Sequence, residues 1–146
     1  MRKHSAKEKY RHRTASSMSA IGQVHVFNET AVRVPRMAMT ALYTDLLAKT
    51  CSLNIVCIGN AFSQKLNKVH RGKDAPANVL TFPPNEGGVA ELYINTTLAA
   101  KTAEKHHISI KKQILFLCIH GMLHLLGYRH GVQMEMLEDR YITMYT

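Results

Sequence analysis

The sequence predicts a single small α+β domain, in which a mixed β-sheet of about four strands is covered by about five helices. Stretches rich in β-forming residues alternate with amphipathic helical stretches over the first two thirds of the chain, and helical patterns alone follow. The length of 146 residues fits one domain. No internal repeat is present, and nothing indicates a second folded domain.

The first predicted elements are a strand, a helix, a strand and a helix. In residues 22–29, apolar β-forming residues recur with a period of two, which is typical of a strand. The stretch 35–50 begins with a proline, which a first helical turn accepts, and repeats apolar residues with helical spacing. A short buried strand is predicted over 53–58, and a second helix over 60–69 with Asn60 as its capping residue.

Two further strands and three helices are predicted in the remainder of the chain. Gly-rich and Pro-rich loops surround a short extended segment at 79–82, and residues 89–95 supply another strand. Helical patterns resume at 97–107, and Ser109 is placed to cap a long apolar helix that runs from 110 to 126. The last predicted helix, 133–145, carries acidic residues in its first half.

The chain carries a large excess of positive charge, with a formal net charge of +9. Such an excess favours a polyanionic partner, nucleic acid first and an anionic membrane surface second. The first 14 residues contain one acid and six cations: Arg2, Lys3, Lys7, Lys9, Arg11 and Arg13. We expect residues 1–20 to form a basic arm, either a solvated, disordered tail or a segment that contacts nucleic acid, ahead of a folded domain at 21–146.

Several features predict a cytoplasmic protein that does not enter a membrane. The longest apolar run, residues 114–119, is far shorter than the roughly 20 residues of a membrane-spanning helix. The basic N-terminal residues lack both the apolar core of a secretory signal and the apolar face of a transit peptide. Cys51, Cys57 and Cys118 include no CxxC pair, which fits buried thiols in a reducing compartment.

Three histidines in the segment HGMLHLLGYRH, residues 120–130, have the spacing of metal ligands. His120 and His124 are four residues apart on a predicted helix, so their side chains lie on one face about one turn apart. Gly127 suits the left-handed end of that helix, after which the chain turns back and brings His130 to the same ion. Three nitrogen ligands with a fourth position open are typical of catalytic zinc. We therefore predict one zinc ion on a helix of the C-terminal half.

The same spacing occurs in the metzincin zinc peptidases, whose motif is HExxHxxGxxH. In that motif, the Glu after the first His is the general base. Gly121 occupies the corresponding position here and cannot accept a proton. A metalloprotease-like hydrolase is therefore the weaker alternative, because its base is missing.

Two long segments resemble the YbeY family of single-domain, zinc-dependent endoribonucleases, which mature ribosomal RNA and act in ribosome quality control. HGMLHLLGYRH is similar to the family signature HGxLHLxGYDH, and LNKVHRGKDAPANVLTFP, residues 66–83, is similar to LNxxYRGKDxPTDVLSFP. AELYIN, residues 90–95, looks like a diverged GDIVIC. The resemblance extends over residues 22–145, so 21–146 is interpreted as a YbeY-like metal-dependent hydrolase domain.

The resemblance implies a role for each matching residue. His120, His124 and His130 would bind zinc, and Arg71 would be the catalytic arginine that contacts the RNA phosphate. A guanidinium suits this task, because it donates two parallel hydrogen bonds to developing negative charge. Asp74, in the same segment, is expected to pair locally or to fix the loop.

The implied function is that of a single-strand-specific endoribonuclease whose partners are ribosomal RNA and the small ribosomal subunit. The alternative is a non-enzymatic, ribosome-associated assembly factor in which zinc is structural. Arg129 departs most from the family, because it replaces the Asp that precedes the third His and so removes a carboxylate beside the metal. The further departures are His70, Ala77, Asn78, Ala90 and Glu91. For the general acid or base, His70, Glu91 and His107 are the candidates.

Overall fold

A computed structural model of the protein describes residues 22–146, which form four strands and five helices. In chain order these elements are β1 (Val24–Asn28), α1 (Arg36–Leu46), β2 (Ser52–Ile58), α2 (Asn60–Arg71), β3 (Val79–Phe82), β4 (Val89–Asn95), α3 (Thr96–His106), α4 (Ile110–Leu125) and α5 (Val132–Tyr145). The predicted α+β fold is therefore confirmed. The predicted basic arm, residues 1–20, lies outside the described residues.

The four strands form one mixed sheet in the order β1-β2-β4-β3. β2 pairs in parallel with β1 and with β4, whereas β3 runs antiparallel to β4. The two central strands, β2 and β4, are buried over their whole length. Burial on both sides is what helices on both faces of a sheet produce, and it accounts for the nearly continuous apolar sequence of these strands.

The two faces of the sheet support cores of different size. On one face, alternate residues of β2 and β4, such as Leu53 and Leu92, pack with α1 and α4 in the larger core. On the other face, Val56 and Tyr93 pack with Leu66 of α2 in a smaller cluster. α4 is buried along most of its length and contacts both β3 and β4. The helix that contains the first two predicted metal ligands is therefore held firmly on the sheet.

The three cysteines have the environment that the sequence predicts. Cys51, Cys57 and Cys118 are buried, reduced thiols, as predicted. Burial raises the pKa of Cys57 to about 12, so this thiol stays protonated and unreactive at neutral pH.

Among residues 22–146, no helix combines the length and the apolar character that crossing a membrane requires.

Three predicted helix ends have different outcomes. The Ser109 hydroxyl oxygen accepts a hydrogen bond from the Lys112 N–H at 3.0 Å and caps α4, as predicted. Gly127 follows that helix with a φ of 100°, the predicted left-handed conformation. The prediction that Asn60 caps α2 is wrong, because Gly59 is the N-cap residue. The Asn60 side-chain oxygen instead accepts a hydrogen bond from the Asn95 amide at 2.9 Å, which ties the start of α2 to the end of β4.

Candidate metal centre

The three predicted histidine ligands meet at the C-terminal end of α4. Three ring nitrogens, one from each of His120, His124 and His130, lie within 4.8 Å of one another. The Nε2 atoms of His120 and His124 are 3.1 Å apart. The ring centroid of His130 lies 5.1 Å from that of His120 and 4.7 Å from that of His124. The structure therefore brings together the three residues that the sequence spacing singles out.

The turn after α4 explains how His130 reaches the other two rings. The N–H groups of Gly127 and Tyr128 donate to the carbonyl oxygens of His124 and Leu123, at 2.9 and 3.0 Å, and close the last turn of the helix. A Cβ on Gly127 would meet no atom within 4 Å, so the requirement for glycine is set by its positive φ and not by space. The left-handed residue reverses the chain and directs it back to the histidines.

Hydrogen bonds to the Nδ1 atoms fix which nitrogen two of the histidines present. His124 Nδ1 lies 3.0 Å from the Tyr128 carbonyl oxygen. Because a carbonyl oxygen only accepts, Nδ1 must hold the proton and Nε2 has the free lone pair. His120 Nδ1 lies 2.5 Å from Glu138 Oε2, which has the same effect on the His120 ring. Metal-binding histidines have partners of this kind, so the donor set fits a metal ion.

Electrostatics at His124 also favour the form of imidazole that binds metals. Burial lowers the pKa of His124 below its ordinary value, and the neighbouring His120 and His130 rings lower it further. The hydrogen bond to Tyr128 and the charge of Glu138 act in the opposite direction but do not outweigh burial. Only neutral imidazole coordinates a metal. The lowered pKa therefore favours the metal-binding form of His124 near neutral pH.

Glu138 is the residue of this site that the sequence reasoning missed. It lies on α5, its side chain is almost fully buried, and it contacts His120 across the interface between α4 and α5. The sequence does indicate that Glu138 is buried, because it follows Met134 by one helical turn and so lies on the apolar face of α5. A carboxylate on a buried face needs a partner, but the sequence does not say which one.

A cleft joins the metal centre to Arg71. This residue ends α2, is exposed, and precedes Gly72, which adopts a left-handed conformation with a φ of 70°. Arg71 lines a cleft of about 520 Å³ together with His120 and His130. A smaller adjoining pocket is lined by Arg71 and all three histidines. The predicted guanidinium and the predicted metal ligands therefore face the same space.

The loop that follows Arg71, residues 72–78, is held against α2 by side-chain hydrogen bonds. The Ser63 hydroxyl donates to the Ala77 carbonyl oxygen at 2.8 Å and accepts from the Ala77 N–H at 2.9 Å. Asp74 Oδ1 accepts a hydrogen bond from the Gln64 amide at 3.0 Å, so the predicted local pairing of Asp74 is confirmed. These contacts hold the loop in place on the C-terminal side of Arg71.

Gly121 faces the sheet. A Cβ on Gly121 would collide with Leu92 Cδ1 of β4 and lie 3.3 Å from Thr81 Cγ2 of β3. The residue therefore lets α4 approach the sheet closely. The Leu92 side chain occupies the space beside the position at which zinc peptidases have their general base, so any larger residue there would require Leu92 to move.

Comparison with known proteins gives the family of the chain. A family model described as Endoribonuclease YbeY matches residues 10–144. The chain belongs to the YbeY family. The protein named Endoribonuclease YbeY from Bacillus licheniformis is 29% identical, over 70% of this chain and 73% of its own. That of Pelotomaculum thermopropionicum is also 29% identical, over 78% of this chain and 82% of its own.

A solved structure shows the same fold. The solution structure of TM1509 from Thermotoga maritima matches with a TM-score of 0.62, at 22% identity, over 84% of this chain and 89% of that one. At this level of identity, the likeness concerns the arrangement of strands and helices. The YbeY fold is therefore shared by two chains that have diverged in most of their side chains.

Of the residues that depart from the YbeY signatures, Ala77 and Asn78 line the cleft, whereas Arg129, Glu91 and His70 are not among the described residues that line it. Arg129 is exposed in the turn between α4 and α5. Glu91 lies buried on the face of the sheet that α2 covers, where it accepts a hydrogen bond from the Tyr93 hydroxyl at 3.3 Å. The His70 ring packs edge-on against Phe82, with centroids 5.0 Å apart.

The candidates for a general acid or base do not meet at the site. His107 ends α3 in a left-handed conformation with a φ of 56°, and it is exposed. The described residues that line the cleft and its adjoining pocket include none of His70, Glu91 and His107. The carboxylates that do line the cleft are those of Glu135 and Glu138 on α5.

Proposed function

We propose that this YbeY protein is a metal-dependent endoribonuclease that cuts single-stranded RNA and acts in ribosomal RNA maturation and ribosome quality control. One observation carries the proposal: three histidine ligand atoms converge in a cleft that Arg71 also lines. A metal site beside a guanidinium suits a phosphodiester substrate, because both groups stabilise negative charge that develops on phosphoryl oxygens.

We propose that His120, His124 and His130 hold one zinc ion, the first two through Nε2. Three imidazole nitrogens suit zinc, and no fourth ligand from residues 22–146 joins the cluster, which leaves a coordination position for substrate or water. A zinc ion held there would polarise a phosphoryl oxygen and lower the pKa of a water molecule.

Glu138 and the Tyr128 carbonyl act as positioning groups. Each engages the Nδ1 atom of one histidine and so turns its Nε2 atom toward the common point. Because Glu138 is only 7% exposed, water competes little for its carboxylate, and the contact holds the ring of His120 in one orientation. α4, α5 and the turn between them thus supply the ligands and their supports.

Arg71 binds the phosphate in this proposal. Its backbone is fixed between the end of α2 and the hydrogen-bonded loop 72–78, while its guanidinium is free to donate two parallel hydrogen bonds into the cleft. Because the guanidinium is exposed, binding a phosphate requires no rearrangement of the core. Gly121 favours a phosphodiester over a peptide substrate, since it supplies no side chain that could act as the base of a peptidase.

Positive charge outside the cleft would attract RNA through salt-sensitive contacts. Lys105 at the end of α3 and Lys112 at the start of α4 are exposed, and each lies close in sequence to a residue that lines the cleft. We propose ribosomal RNA and the small ribosomal subunit as the partners and the cytoplasm as the location. Residues 1–20 would form a basic arm ahead of the hydrolase domain, 21–146.

An RNA cleavage assay tests this function. Wild type, His124→Ala and Arg71→Ala are incubated with a single-stranded RNA and with the same sequence as a duplex, in EDTA and after zinc is added back. We expect zinc-dependent cleavage of the single strand by the wild type, and none by His124→Ala. Lys65→Ala, which removes an exposed cation of α2 outside the cleft, is the matched control and should cleave normally.

Two outcomes contradict the proposal. Cleavage that neither His124→Ala nor Arg71→Ala changes would indicate a contaminating nuclease. RNA binding without cleavage, by protein that elemental analysis shows to contain zinc, would favour the assembly factor with a structural metal.

A further inference from the structure

The wall of the cleft formed by α3 and α4 differs from the wall formed by α5, because none of the described residues that line it is Lys, Arg, Asp or Glu. Thr102 of α3 and Gln113 and Phe116 of α4 line this wall, and Asn78 adjoins it from the loop before β3. These four residues are called the amide–aromatic wall below. Positive charge lies elsewhere in the cleft, at Arg71, and carboxylates lie on α5.

Gln113 is the most buried polar residue of this wall, at 9% exposure. Among residues 22–146, its side-chain amide has no hydrogen-bond partner, although it lines the cleft. The polar atoms of this amide are not among the buried unpartnered atoms of the described residues, so they remain accessible from the cleft. A ligand with a polar edge in the cleft can therefore bond to the donor and the acceptor of Gln113.

Phe116 lies between Gln113 and the metal centre on the same face of α4. It follows Gln113 by three residues and precedes His120 by four, so the three side chains form one row. The ring is half-buried and lies nearly parallel to that of His120, with centroids 6.1 Å apart and an interplanar angle of 29°. An aromatic ring that lines a polar cleft offers a surface on which a flat base can stack.

We propose that the amide–aromatic wall is a nucleobase subsite, which takes the base next to the phosphate that Arg71 and the metal centre bind. The base stacks on Phe116 and its polar edge bonds to the Gln113 amide, with Thr102 and Asn78 at the ribose and the outer edge. A nucleotide has an anionic end and a neutral, flat end; the cleft offers the cation of Arg71 to the first and the uncharged wall of α3 and α4 to the second, while its carboxylates are on α5. The inference rests on the proposed endoribonuclease function and names how that site selects its substrate.

Binding and cleavage of RNA that lacks single bases test the subsite. A short, fluorescently labelled single-stranded RNA is prepared with an abasic residue at each position in turn around the cleavage bond. Binding is measured by fluorescence anisotropy with the full-length protein in EDTA, and kcat/KM is measured with zinc. We expect one abasic position beside the cleavage bond to weaken binding by the wild type roughly 10-fold, the size of a lost base–aromatic stack.

Variants of the wall locate the effect. Phe116→Leu keeps most of the apolar volume, and Gln113→Ala removes the amide. Each should weaken binding of the intact RNA and make the protein much less sensitive to the abasic residue. Phe62→Leu is the matched control, since Phe62 is a half-buried aromatic residue of α2 that packs in the smaller cluster on the other face of the sheet. It should respond to the abasic residue as the wild type does, and thermal unfolding checks that every variant is folded.

The outcomes separate the two proposals. Equal binding and cleavage of all abasic RNAs by the wild type, or undiminished sensitivity in both Phe116→Leu and Gln113→Ala, overturns the subsite while zinc-dependent cleavage still supports the endoribonuclease. A wild type that binds RNA with the expected base dependence but never cleaves it overturns the proposed function and retains the subsite.

Discussion

The metal centre and the Arg71 end of the cleft are built in different ways. His120 and His124 belong to a helix packed between the sheet and α5, and the buried carboxylate of Glu138 and the Tyr128 carbonyl orient one ring each. Arg71 is an exposed residue at a helix end, and its backbone is held by that helix and by a hydrogen-bonded loop. Substitutions on the metal side should therefore change stability or metal affinity, whereas substitutions at Arg71 should change activity alone.

Introducing the missing peptidase base at Gly121 should have the largest effect. Gly121→Glu places a carboxylate against Leu92 and Thr81, where even a methyl group would require the buried Leu92 side chain to move. We expect a loss of more than about 3 kcal/mol in the free energy of unfolding, measured by chemical denaturation, and no gain of peptidase activity. Gly87→Ala, in the loop before β4, is the control: a Cβ there would lie 3.3 Å from Asn85 Oδ1, a tight contact but not a clash, so the loss of stability should be much smaller. A stable Gly121→Glu protein would show that α4 is packed less tightly than the structure indicates.

Removing the guanidinium of Arg71 should lower kcat/KM for RNA cleavage by roughly 100-fold, the usual effect of losing one group that stabilises transition-state charge. Because Arg71 is exposed, the melting temperature and the zinc content should not change. Steady-state kinetics, thermal unfolding and elemental analysis of the same preparation measure the three quantities. Normal kinetics in the variant would show that Arg71 takes no part in cleavage. Loss of zinc from the variant would show that Arg71 also supports the metal centre, so that the two regions are not independent.

Glu138→Ala should weaken zinc binding by roughly 10- to 100-fold, because His120 loses the partner that orients its ring. Competition with a chromogenic chelator measures the affinity. Glu138→Gln should keep part of it, since an amide oxygen still accepts a hydrogen bond from Nδ1. Asp139→Asn, an exposed acid at the next position of α5, is the matched control and should bind zinc normally. Equal zinc affinity in Glu138→Ala and wild type would show that the contact does not support the metal.

The smallest of these effects is expected from Ser63→Ala, which removes both hydrogen bonds between Ser63 and Ala77. Each such bond contributes about 1 kcal/mol to the free energy of unfolding. Part of the loss affects the order of the loop and not the stability of the whole domain. We expect a modest fall in stability together with faster hydrogen exchange in residues 72–78, followed by mass spectrometry. Exchange in α4 should not change; if it does, the Arg71 loop and the metal centre are coupled and not independent.

The sequence predicted those features that depend on residues close together in the chain. The strand over 79–82 was predicted with the bounds that the structure shows, because Gly and Pro on both sides limit it. The Ser109 cap of α4 was also predicted correctly, since a cap acts within three residues. The convergence of His120, His124 and His130 follows from one helical turn and one glycine, which are local as well.

Features that depend on packing between elements were wrong or missing. Asn60 was assigned as a cap, but its side chain pairs with Asn95, which is 35 residues away. The contact of Glu138 with His120 requires α5 to dock on α4, and no local pattern specifies that register. Gly121 was recognised only as the absence of a base, because the sequence does not show that Leu92 packs against it. The strand order of the sheet was not predicted for the same reason.

The central claim is that the three histidines and Arg71 form one RNA-cleaving site. Its most direct test is the rate of cleavage of a single-stranded RNA as zinc is added to metal-free protein, for wild type and Arg71→Ala side by side. We predict that wild-type activity rises with bound zinc and stops rising at one equivalent, while Arg71→Ala binds the same zinc and remains nearly inactive. Full cleavage by metal-free wild type, or equal rates for the two proteins at one equivalent, would contradict the claim.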